Sequence, residues 1–122
     1  MRSSLFVASI AALIASMSMP VHAENYKRIK KSDDFNSMVV GKKLVWDDGN
    51  GVVYPDGTTK GKSNTAGKYY GNWVWQNGYY CRNLIIKGKE TGTNCQKIEI
   101  DGSNLRMTRD KGKGRITMVT ME

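Results

Sequence analysis

The sequence predicts a mainly all-β protein: an antiparallel meander of about eight short strands, curved into an open sheet or a small barrel, with one short N-terminal helix packed on it. Turn signals recur along the chain at the even spacing of sandwiches and barrels. Every link between them is too short for a parallel crossover. Side chains in the longest segments alternate between two faces, as they do in a strand.

The chain opens with a segment that does not belong to this domain. Arg2 supplies a positive start, Leu5 to Met17 is an uncharged apolar run, Pro20 breaks it, and Val21-His22-Ala23 presents the small-x-small site of a signal peptidase. The run is shorter than the roughly 20 apolar residues that span a bilayer. Residues 1–23 therefore read as a cleaved signal peptide and residues 24–122 as one β-rich domain, periplasmic or secreted.

Within that domain, residues 24–31 form a basic arm. Ser32 reads as an N-cap followed by Asp33 and Asp34, where negative charge suits a helix start. Phe35, Met38 and Val39 then share a stripe, and Gly41 marks the stop, so a helix is expected over 33–40. Strands are expected at Lys42–Trp46, Val52–Tyr54, Thr58–Lys62, Lys68–Gln76, Tyr79–Lys87, Thr93–Ile100, Ser103–Asp110 and Arg115–Met121. The intervening turns include Pro55-Asp56-Gly57, Asn77-Gly78 (the strongest hairpin dipeptide) and the Lys111–Gly114 turn.

Alternation assigns faces. Tyr69, Gly71, Trp73 and Trp75 share one side of their strand. Tyr80, Leu84 and Ile86 share a side of the next, with Arg82 among them. Leu105 with Met107, and Ile116 with Met118, are expected to point inward from the last two strands.

Several chemistries are set aside. The only histidine, His22, lies in the leader, which removes histidine-based triads, general bases and metal clusters from the mature part. The segment from Gly57 to Ser63 has one residue too few between its glycines for a P-loop. Asp47 and Asp48 are neighbours and would point to opposite faces of a strand. They lack the spaced ligands of a calcium loop. No metal, cofactor or catalytic residue is expected.

Cys81 and Cys95 are the only cysteines, and an even count in an exported chain reads as a disulfide. If they face each other across a hairpin, position 86 should pair with 90 and leave Lys87-Gly88-Lys89 as a three-residue loop. A longer Gly88–Gly92 loop would shift the register instead.

Of 19 basic residues only Arg2 lies in the leader, and none of the 11 acidic ones does, which leaves the mature part at +7. Such a surface favours anionic partners. The candidate anion-binding residues are the arm (Lys27, Arg28, Lys30, Lys31) and the C-terminal stretch (Arg109, Lys111, Lys113, Arg115). The leading expectation is a non-enzymatic, envelope-associated binding module that engages anionic lipid or polyanionic glycan; export argues against nucleic acid. The alternative is a small apolar-ligand carrier, with Trp73, Trp75 and Tyr69 lining a cavity. Packing as core aromatics is favoured for the tryptophans because so small a domain leaves little empty volume. An inhibitor of a basic, lysozyme-like enzyme carries less weight, since such a target would favour an acidic surface.

Gly71-Asn72-Trp73 resembles the Gly-x-Trp signature of lipocalins, although it falls mid-chain and not on the first strand. The ordered set Gly41-Lys42-Lys43-Leu44-Val45-Trp46, Tyr54-Pro55-Asp56-Gly57-Thr58, Gly71-Asn72-Trp73, Tyr80-Cys81, Cys95 and Asp101-Gly102 resembles an uncharacterised family of small exported proteobacterial proteins. The resemblance covers about Ser32 to Asp110. It implies a periplasmic β domain with a disulfide and brings no activity or site residue with it. Intact mass spectrometry of protein recovered from the periplasm should find a chain beginning at Glu24; retention of residues 1–23 would remove the basis for an exported domain.

Overall fold

A computed structural model describes residues 24–122, so the expected signal peptide lies outside the described residues. Nine strands and one helix follow in order: β1 (Lys27–Arg28), α1 (Ser32–Met38), β2 (Lys43–Trp46), β3 (Gly49–Val53), β4 (Thr58–Ser63), β5 (Gly67–Gln76), β6 (Tyr79–Ile86), β7 (Lys89–Asp101), β8 (Asn104–Thr108) and β9 (Ile116–Met121). From β2 to β9 each strand pairs antiparallel with the next, and β9 returns to pair with β2 through Leu44↔Met121 and Val45↔Thr120. The meander is therefore a closed eight-stranded barrel. With an even number of up-and-down strands the first and last run in opposite directions, so the closing pair is also antiparallel and no barrel edge remains bare.

The up-and-down order puts the β2–β3, β4–β5, β6–β7 and β8–β9 links at one end, the turn end. The remaining links and α1 lie at the other, the helix end. Alternation along β5 holds: Gly71 and Trp73 are buried while Tyr70 and Val74 are exposed. In β9 the assignment of faces reverses. Ile116 and Met118 are 55% and 47% exposed, whereas Val119 and Met121 are buried. The strand reads Ile-Thr-Met-Val-Thr-Met and carries apolar residues on both faces, so its parity is decided by the pairing of Val119 with Leu105 and of Met121 with Leu44.

At the helix end α1 lowers Phe35 into the barrel, where it is 0% exposed. Its ring stacks on Trp75 at 4.7 Å between centroids and meets Trp73 and Tyr80 at 5.4 Å each. Ile29, Val39, Leu44, Val53, Ile98, Leu105 and Val119 complete the core. The helix begins at Ser32, one residue before the expected start. Lys31 is its N-cap and no side chain caps it, while Asp33 and Asp34 occupy the first turn as expected.

The basic arm is not a free tail. Arg28 and Lys27 pair with Glu99 and Ile100 of β7, and the buried Ile29 donates its N–H to the Ile98 carbonyl at 2.9 Å. β1 thus occupies the stretch of β7 beyond its pairing with β6.

The β6–β7 hairpin carries the Cys81–Cys95 disulfide, and the two cysteines face each other directly. The loop differs from the expected one. Ile86 pairs with Lys89, which leaves the two-residue turn Lys87-Gly88, both at positive φ. The odd residue is absorbed by a bulge in which Thr91 and Gly92 oppose Leu84 alone, with Gly92 at φ 79°. The Thr91 hydroxyl accepts from the Leu84 N–H and donates to its carbonyl, both at 3.3 Å, which repairs the ladder at the bulge.

Phe35→Ala should cost about 3–5 kcal/mol, the range for a buried aromatic truncated in a packed core. Urea unfolding of the mature domain measures it. A loss near zero would show that the barrel does not depend on its aromatic plug.

Candidate functional site

Two places on the barrel bring functional side chains together. The first is the outer face where β1, β6 and β7 meet. Tyr79 opens β6 directly after the Asn77-Gly78 turn, pairs with Gln76 and projects outward. The Arg28 guanidinium lies over its ring at 4.8 Å and donates to the Gly78 carbonyl at 3.3 Å. The Lys111 ammonium approaches the same ring at 5.9 Å. Cations over an aromatic face are held by its quadrupole. The arm and the C-terminal turn, far apart in sequence, therefore converge on one tyrosine.

Beside them the charges are partly spent on each other. Arg106 makes a bidentate pair with Glu99, at 3.1 and 2.9 Å, and Lys97 approaches the same carboxylate at 3.5 Å. The hydrogen bond from Arg106 is the main reason the Glu99 carboxyl is held below the usual carboxylate range. The other side of Arg106 stacks on Tyr26 at 4.4 Å.

The second place is the turn end. Residues 109–114, expected as a strand end and simple turn, form a tight loop in which Asp110 and Lys111 both adopt positive φ. Asp110 is pinned there by Asn94 of β7, which donates at 2.6 Å and accepts the Asp110 N–H at 3.2 Å. The Arg109 N–H donates to the Arg115 carbonyl at 3.0 Å, so these two arginines flank the loop. Asp48, in the neighbouring β2–β3 turn, is held below its ordinary value, first by the Ser63 hydroxyl (2.6 Å) and then by Thr65 (2.9 Å), with a smaller contribution from Arg115.

Tyr69 lies inside the barrel toward this end, and Arg82 shares the interior face of β6 with Tyr80, one step nearer this end. Gly51 of β3 and Gly61 of β4 face each other, and the Tyr69 hydroxyl lies over both. A Cβ at either glycine would run into that hydroxyl, so the glycines make the space the ring occupies. Burial pushes the Tyr69 phenol up to about 12, and raises Tyr80 as well against a hydrogen bond with Thr59. Burial lowers the Arg82 pKa, Arg109 acts in the same direction, and the two phenols oppose it.

The candidate residues therefore divide. Arg28 and Lys111 meet at Tyr79, while Arg109 and Arg115 belong to the turn end. Lys27, Lys30, Lys31 and Lys113 are exposed. Lys30 also accepts the Trp75 indole N–H on its carbonyl, at 3.3 Å. Trp73 and Trp75 pack on Phe35, and the Trp73 N–H donates to the Tyr54 carbonyl at 2.8 Å. Two shallow surface grooves of about 280 and 440 Å³ are lined by residues including Tyr26 and Met118 in one and Lys27 and Met38 in the other. Neither includes Trp73, Trp75 or Tyr69. Among the described residues no three His, Cys, Asp or Glu side chains gather as a metal-holding group.

Tyr79, Lys97 and Glu99 were not singled out by the sequence, because charge runs draw attention to neighbours along the chain and these gather across strands. Arg82 left a signal, as an arginine on an otherwise apolar face.

Compared with protein families, curated proteins and solved structures, the chain matches none of them.

The buried phenols set an alkaline limit on stability. Tyr69 keeps its proton in the folded barrel up to about pH 12, while in the unfolded chain a phenol loses it near 10. Stability is unaffected by Tyr69 below about pH 10 and falls as the pH rises from about 10 to about 12. Denaturant titrations across that window should show the decline, and Tyr69→Phe should flatten it. An equally steep decline in the variant would place the titrating group elsewhere.

Proposed function

We propose that the mature domain is a non-enzymatic binding module of the periplasm or secreted space, associated with the cell envelope. It engages anionic envelope material, such as acidic lipid or polyanionic glycan, through its basic outer face. The observation that carries this reading is the convergence of Arg28 and Lys111 on the exposed face beside Tyr79. Glu99 neutralises Arg106 and draws on Lys97, so the cations free to meet a partner are those nearer the arm and the loop. Each exposed Lys or Arg contributes about 1 kcal/mol at an anionic surface, so several must act together. Their attraction fades beyond a Debye length of about 8 Å at physiological salt.

Co-sedimentation with anionic and neutral vesicles across a salt series tests this. Binding should require the anionic vesicles and fall as salt rises. The variant Arg28→Gln/Lys111→Gln should lose several-fold more binding than Lys60→Gln/Lys62→Gln, which removes the same charge from β4, three strands round the ring from β7. Equal losses in the two variants, or binding indifferent to salt, would overturn the assignment of this face.

A further inference from the structure

Arg82 occupies an interior position of the barrel. It pairs with Trp73 on β5 and shares its face of β6 with the buried Tyr80. Among the described residues it has no carboxylate partner, since the ion pairs there join Lys43 to Glu122 and both Lys97 and Arg106 to Glu99. Its nitrogens are not sealed off either, because no buried side-chain nitrogen in the described residues lacks both a partner and solvent. The side chain is thus half-buried on the interior face and makes no ion pair.

Its surroundings are those of an anion seat. The groups that act on it electrostatically are two phenols, Tyr69 and Tyr80, and a second arginine, Arg109. The phenols are hydrogen-bond donors, and Tyr69 is fixed over Gly51 and Gly61. The backbone bond between Arg109 and Arg115 places another cation at the rim. Of the acids of this end, Asp48 is held by Ser63 and Thr65, Asp110 by Asn94 and Glu90 by Asn83, and none of them makes an ion pair with Arg82. A half-buried cation is costly without an opposite charge, and the guanidinium fork matches the paired oxygens of a carboxylate or phosphate.

We propose that the turn end of the barrel binds a small oxyanion, held by Arg82 and the Tyr69 hydroxyl and drawn in by Arg109 and Arg115. The ligand class is a phosphate or carboxylate group, either free or as the head of a slender molecule. Side chains fill the interior of a barrel this small, so the seat takes one head group while the rest of such a ligand stays outside the barrel. The site is separate from the Tyr79 face and stands without it.

The test uses the mature domain with inorganic phosphate, glycerol phosphate or acetate, each against potassium chloride at matched ionic strength. Phosphate should raise Tm above the chloride control and shift the Arg82 Nε–Hε NMR signal saturably. Tighter binding of glycerol phosphate than of inorganic phosphate would assign the seat to a head group, and the reverse to the free ion. Arg82→Met should weaken binding at least about tenfold, the scale of a lost charge-assisted hydrogen bond. It should leave vesicle association unchanged, whereas Arg28→Gln/Lys111→Gln should leave the phosphate response unchanged. Equal Tm in every anion with an unmoved Arg82 signal would overturn the proposal, as would an undiminished phosphate response in Arg82→Met. Should that variant fail to fold, the titration of the wild-type Arg82 signal decides alone: saturation supports the site and a flat response removes it.

Discussion

An eight-stranded barrel has an interior just wide enough for side chains, and something must fill it from the ends. Here that constraint is met by Phe35, delivered from a helix of under two turns into a ring of Trp73, Trp75 and Tyr80. The contact organises more than the rings. The same two indoles that pack on Phe35 donate outward, Trp73 to the Tyr54 carbonyl and Trp75 to the Lys30 carbonyl. Those two bonds tie the β3–β4 link and the segment before α1 to the barrel wall. With apolar burial concentrated at the helix end, the turn end is left with polar side chains inside it.

β7 is the second organiser. Its 13 residues serve β6 along one half and β8 along the other, with β1 laid beside the stretch that β6 leaves uncovered. This is why basic residues from the beginning and end of the domain reach a common face: β1 brings Arg28 to it, and the loop after β8 folds back to Asn94 and brings Lys111. The outer face and the interior around Arg82 both lean on β7, which pairs with β1 and with β6, but they have different physics. Charges on the outer face sit in water and act by number. Arg82 sits half-buried, where a single matched partner counts for more.

Much of the barrel was legible because local chemistry and final structure agree. Asn77-Gly78 made the tight turn its composition demands, and the Tyr-Gly-Trp-Trp face of β5 went inward as alternation requires. The failures share a physical cause, which is that they were decided by partners distant in sequence. β3 begins at Gly49, within a segment that reads as loop, because Gly51 must face Gly61 under the Tyr69 ring. β1 exists only because β7 offers unpaired backbone beyond β6. The Lys87-Gly88 turn could not be told from a longer loop without knowing that Thr91-Gly92 would bulge. The left-handed Asp110 and Lys111 carry no glycine to announce them, and their conformation rests on a hydrogen bond to Asn94. The candidate site followed the same rule: the positive charge was visible in the composition, and its division between two places was not.

Closing the ring through β2 and β9 has a kinetic consequence. The pairing of Leu44 with Met121 joins residues near opposite ends of the described chain, and such contacts form only after a large loss of chain entropy. The hairpins from β3 to β8 are local and can assemble as each segment becomes available, whereas the final seam must wait for the C-terminal strand. The Cys81–Cys95 bond does not shorten that wait, since it links strands already joined by a two-residue turn. Until the seam forms, β2 and β9 each expose a row of unpaired backbone groups, and a second unfinished chain could satisfy them as well as the correct partner. For this protein the hazardous interval lies late in folding, and how long it lasts depends on how quickly six residues at the C-terminus find the strand that follows the helix.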